Sequence, residues 1–251
     1  MKMKHMSKYI FSSLLLLCFV VLSHSQEKKT DSIKTPARTE RYGLRVGADL
    51  FKFSRSFYDN NYKGLELVGD YRLTRKYYLA GEIGNENITT EDTQVNFTTK
   101  GSYFRVGFDY NAHENWLNLE NMIYVGMRYG ISTFSQELNS YKVYNPHPYF
   151  GEMPPKISGE KYDGLSAQWI EVALGLKTKV FNNIFVGFSL RLNKLVSNKK
   201  PENFDNLYIP GFNKTYDGTF GIGFNYSVSY FIPIYKKKIT PKKAAETPKK
   251  K

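Results

Sequence analysis

From Phe220 to Ile232 an apolar or aromatic side chain falls at every second position: Phe220, Ile222, Phe224, Tyr226, Val228, Tyr230 and Ile232, with Gly221, Gly223, Asn225, Ser227 and Ser229 between them. A strict period of two predicts a β-strand with one apolar face. Thirteen residues rising roughly 3.3 Å each reach about 43 Å, and a tilt near 45° projects that length to about 30 Å, the hydrocarbon thickness of a bilayer. The segment therefore has the length of a membrane-spanning strand.

Seven earlier segments repeat the pattern. Their apolar faces include Leu44, Val46 and Ala48; Leu65 and Leu67; Leu79 and Ile83; Phe104, Val106 and Phe108; Val125, Met127 and Tyr129; Ile170, Val172 and Leu174; and Val186, Phe188 and Leu190. Eight strands satisfy the even count of single-chain outer-membrane barrels. The connections alternate long and short. Turns near Thr74 to Lys76, Asn111 to Asn121 and Phe181 to Asn183 are on the shorter side. The four longer links run about Phe51 to Lys63, Asn85 to Lys100, Ser132 to Ser166 and Asn193 to Gly218. That order predicts an all-β, eight-stranded antiparallel up-and-down transmembrane barrel with short periplasmic turns, long outer loops and both termini in the periplasm of a Gram-negative cell.

The leader agrees with export. Residues 1–25 combine Lys2, Lys4 and Lys8, an apolar run from Ile10 to Leu22, and the small-residue site Ser23-His24-Ser25, as expected of a cleaved signal peptide. Leu17 ahead of Cys18 disfavours lipidation, and cleavage leaves no cysteine. Residues 26–40 read as a flexible periplasmic leader, 41–235 as the barrel and 236–251 as a disordered Lys-rich periplasmic tail.

A formal charge of +13 suggests nucleic acid until it is located. Three lysines lie in the leader, and eight Lys with one Glu lie from Lys236 to Lys251, so the body is nearly balanced and nucleic acid is excluded as a partner. The tail reads as a solvated extension, with a grip on an anionic periplasmic partner as the alternative.

The second strand face decides which side meets lipid. A soluble barrel would clothe it in long solvated side chains, yet it carries Gly43, Gly47, Gly107, Gly126, Gly175, Gly187, Gly221 and Gly223. Between them stand Arg45, Arg72, Arg105, Arg128, Lys177 and Arg191 with Asp49, Glu66, Asp70, Glu82, Asp109 and Glu171. Balanced charges among glycines suit the narrow interior of eight strands, where they can pair into a plug. The apolar face is then left to outer-membrane lipid, and a barrel that closes on itself is expected to be a monomer.

On these features Arg41 to Tyr235 resembles the small eight-stranded outer-membrane barrels with the OmpA-type transmembrane architecture, and more narrowly the uncharacterised small barrels of Bacteroidota. The resemblance implies assembly by the outer-membrane insertion machinery through the last strand. Pro233 and the tail after Tyr235 depart from that pattern, and regular pairing is expected to end near Phe231 or Ile232.

No metal or cofactor signature is present. The only His residues beyond the leader are His113 and His147. Tyr144, His147, Tyr149 and Phe150 form a candidate contact surface on the longest outer loop. The expected role is structural or interactive, at the cell envelope. A lipid-modifying enzyme using His147 and Glu152 at the outer rim, or a narrow transporter, is the alternative. Tyr residues at strand ends and Trp169 near the outer rim are expected to form interfacial girdles.

Overall fold

The computed structural model describes residues 38–113, 120–143, 149, 153–202, 205–213 and 219–239. The expected signal peptide, most of the leader, Tyr144, His147, Phe150, Glu152 and the tail beyond Ile239 lie outside the described residues. Glu40–Lys237 form one compact unit.

Eight strands make a closed antiparallel barrel in sequential order. They are β1 (Arg38–Asp49), β2 (Tyr62–Arg72), β3 (Tyr77–Glu91), β4 (Val95–Asn111), β5 (Met122–Tyr141), β6 (Lys156–Phe181), β7 (Ile184–Lys199) and β8 (Phe220–Ile239). Between β1 and β2 the chain forms a helix, α1 (Leu50–Tyr58), where an irregular loop was expected. Its start is set by Asp49, whose side chain accepts from the backbone N–H of Phe51 and Lys52.

The strands are longer than the apolar alternation suggests. β3 and β4 continue past Asn85 and Lys100 to a tight turn at residues 92–94, and β5 and β6 run to Tyr141 and from Lys156. There the outward residues of β3–β5 are Asn, Thr, Ser, Lys and Glu, so the apolar–polar contrast disappears while the ladder persists. The inward set, including Ile88, Phe97, Phe134 and Leu138, stays buried. Bulges interrupt the β5–β6 register between Phe134 and Gln136 and between Leu138 and Ser140.

The β7 ladder ends at β8 with Ile184 opposite Tyr230 and a last bond from Phe231 N to Asn183 O at 2.7 Å. β8 stays extended through Pro233 to Ile239, past the boundary expected at Tyr235.

Candidate functional site

The strand period sorts the side chains opposite to a water-soluble core. Met127, Phe108, Leu174, Leu190 and Ile222 stand exposed on the outside, while Arg45, Asp70, Glu66, Glu82, Arg105, Asp109, Arg128, Glu171 and Arg191 are buried inside. The register sets opposite charges side by side on neighbouring strands: Arg45 opposite Asp70, Glu82 opposite Arg105, and Arg128 opposite Glu171. Long cations also face glycine across the ladder, as with Arg128 and Gly107, Lys177 and Gly187, and Arg191 and Gly223. The missing side chain gives each room to turn into the lumen.

The result is one connected stack of ion pairs. Arg105 lies 2.6 Å from Glu66, 2.9 Å from Glu82 and 3.3 Å from Glu171. Arg191 reaches Glu82 at 3.0 Å, and Arg128 reaches Asp109 at 3.0 Å. Lys177 and Arg45 both meet Asp70 at 2.7 Å. Every charge has a partner of opposite sign, which is what makes such burial tolerable. Spaces of about 20 Å³ beside Arg45, Glu82 and Arg128 and about 10 Å³ near Arg41 and Phe185 each have room for about one water.

Two of the twelve residues expected in this network stand apart from it. Arg72 turns to the end of the barrel where β1 begins and β8 ends, meets Glu40 at 2.7 Å and covers the Tyr42 ring. Asp49 caps α1 and accepts from Asn225 Nδ2 at 2.7 Å. At the same end as Arg72, Arg41 joins Glu120 and donates to Asn183 Oδ1 at 2.7 Å.

The other end is closed by groups the strand pattern does not reveal. α1 sits on the rim with Phe51 against the outward ring of Phe224 (4.5 Å between centroids), while Lys52 turns inward. Lys52 Nζ lies 2.7 Å from both Glu66 and Glu86 and donates to Tyr103 OH at 2.5 Å. Burial lowers its pKa, but the two carboxylates outweigh that and hold it above its ordinary value. Its ionic contribution is therefore fully present at neutral pH and below, and is lost only in strong alkali, as pH rises through the folded value.

Residues 205–213 fold down into the mouth. Tyr208 OH and Gly211 N both donate to Glu86 Oε2, at 2.9 and 3.0 Å. Burial and the neighbouring Glu86 push the Tyr208 phenol well above its usual pKa, so it remains a donor. Ile209 and Phe212 are fully buried with Tyr103, Phe134, Leu165, Ala167, Trp169 and Leu195. Gly211 has φ +81° and lies against the Tyr103 ring, a place for which a residue with a Cβ has neither the backbone freedom nor the space.

Trp169 is a correction. Expected in a rim girdle, it faces inward and is 0% exposed, packed edge-on against Phe212, because it is one residue out of phase with outward Ile170. Tyr77, Tyr110 and Tyr235 are exposed at the end where β1 begins and β8 ends, Tyr77 beside Tyr110 and Tyr235 stacked on a buried Tyr42. Tyr129 lies mid-strand rather than at a strand end, and Tyr149 is 97% exposed. Glu86 keeps the inward phase of Glu82, but it falls in the stretch that the sequence pattern assigns to the long link from Asn85 to Lys100. Lys52 and Tyr208 carried no comparable signal.

A family model described as a domain of unknown function (DUF6048) matches residues 6–237. Among solved structures, the chain is similar to Ail, the attachment invasion locus protein of Yersinia pestis, at 12% identity and a TM-score of 0.39, covering 76% of this chain and 97% of that one. A second Ail structure, in complex with the heparin analogue sucrose octasulfate, aligns at 10% identity and a TM-score of 0.35, covering 78% of this chain and 99% of that one. No curated protein matches.

Proposed function

The chain belongs to the DUF6048 family, and for it we propose the role of an outer-membrane β-barrel with both termini in the periplasm and a lumen sealed against flow. It serves the envelope as a structural or interaction protein that presents its loop end outside the cell. One observation carries this reading: the closed ring is inverted, with exposed aliphatic and aromatic side chains all around and paired charges within. Eight strands enclose only enough space for side chains to fill, and the ion pairs fill it. The Lys52 contacts and the inserted Phe212 segment support closure at the mouth.

Planar-bilayer recording tests the seal. The purified barrel is expected to give no stable single-channel steps in symmetric salt, and reproducible large conductance would contradict a sealed lumen.

A further inference from the structure

The outer surface of β2–β5 carries a second organised set of polar groups, aligned by register and independent of the lumen. Lys63 pairs with Asn87, Asn87 with Lys100, and Lys100 with Ser135, so these four residues form one row across four strands. All four belong to the outward phase of their strands, and both lysines are exposed. Neither lysine has an ion-pair partner among the described residues. In the next row toward the loop tips, the carboxylate of Glu137 is engaged by Lys161 at 3.4 Å.

The row stands directly above the apolar surface. One step below it Asn85 donates to Ser102 Oγ at 2.9 Å, and one step further down lie Leu67, Ile83, Phe104 and Ile131 in a continuous apolar row. The apolar belt is also uneven. Exposed apolar side chains run from Phe220 to Ile234 along β8 but only from Phe104 to Tyr110 along β4.

We propose that Lys63, Asn87 and Lys100 form a binding site for the phosphate monoester of a membrane lipid. The inference rests on the membrane-barrel reading above. Neighbouring strands are about 4.8 Å apart, so the two lysine Cα atoms are separated by about 10 Å, a gap that two flexible four-carbon stems close on one phosphate. The Asn87 amide between them supplies a neutral donor to a phosphate oxygen. Below the phosphate, acyl chains meet Leu67, Ile83 and Phe104. A soluble polyanion would gain nothing from that apolar shelf, and this favours a lipid.

The test uses the whole protein folded in detergent micelles, with folding established by its heat-modifiable gel mobility. Bound phosphatidic acid and diacylglycerol of matched acyl chains are measured by native mass spectrometry. Lys63→Gln with Lys100→Gln is expected to weaken phosphatidic acid binding roughly thirtyfold, the ordinary worth of two lysines facing an anionic lipid. Diacylglycerol should bind weakly and equally to both proteins. Lys161→Gln should leave phosphatidic acid binding unchanged, and excess inorganic phosphate should not displace the lipid. Equal phosphatidic acid binding by the double variant, or displacement by inorganic phosphate, overturns the site while the heat shift leaves the barrel reading standing. Absence of the heat shift overturns both.

Discussion

Replacing Arg105 with Met is expected to lower the stability of the folded barrel by on the order of 4 kcal/mol, read from urea unfolding in detergent. Arg105 is 2% exposed and sits among Glu66, Glu82 and Glu171, within 3.3 Å of each. Its loss leaves three carboxylates crowded in a lumen that water cannot flood. Glu66 retains Lys52 at 2.7 Å and Glu82 retains Arg191 at 3.0 Å, so the network is weakened rather than erased. A second change shows whether orphaned charge is the cause. Arg105→Met with Glu66→Gln should be less destabilised than the sum of the two single variants, because removing the acid relieves the repulsion that removing the base exposed. Additive losses would mean that Arg105 acts by filling volume alone.

Gly107→Ala is expected to cost about 3 kcal/mol or to abolish the folded, heat-modifiable form. A Cβ at Gly107 would lie 2.0 Å from the backbone oxygen of Met127 and 2.7 Å from the Arg128 Cα, so β4 and β5 would have to separate. The neighbouring backbone cannot rotate away as a side chain could. Gly81 supplies the contrast within the same barrel. Its nearest atom to an added Cβ is the Arg105 backbone oxygen at 3.9 Å, and Gly81→Ala should fold normally. Equal folding of the two variants in a heat-shift assay would refute the close approach at Gly107.

The two variants mark what the chain makes legible before its structure is known. Arg105 and Gly107 lie on the polar face of a strand whose other face is Phe104, Val106 and Phe108, and that contrast identifies the strand and the inward direction together. Where the outward residues turn polar, as at Asn85, Asn87 and Lys100, both faces read alike and the alternation ends before the strands do. The mouth was harder still. Lys52 enters the lumen from a helix set by its Asp49 cap, and Phe212 from a segment without periodicity, so their burial is a tertiary result with no local pattern. Residue type alone puts Trp169 at the interface, whereas its phase against outward Ile170 points it inward, where it is buried.

If the apolar exterior meets lipid while the charges stay enclosed, an environment-sensitive fluorophore on Leu174→Cys reports hydrocarbon. Leu174 is 55% exposed within the apolar stretch of β6 from Ile170 to Val180, and Cys18, the one cysteine of the chain, is replaced by Ser so that the label is unique. In vesicles the label is predicted to emit as in hydrocarbon, to be quenched by nitroxide lipids spin-labelled along the acyl chain, and to be untouched by aqueous iodide. Quenching by iodide with no response to the nitroxide lipid would place Leu174 in water and refute a lipid-facing exterior.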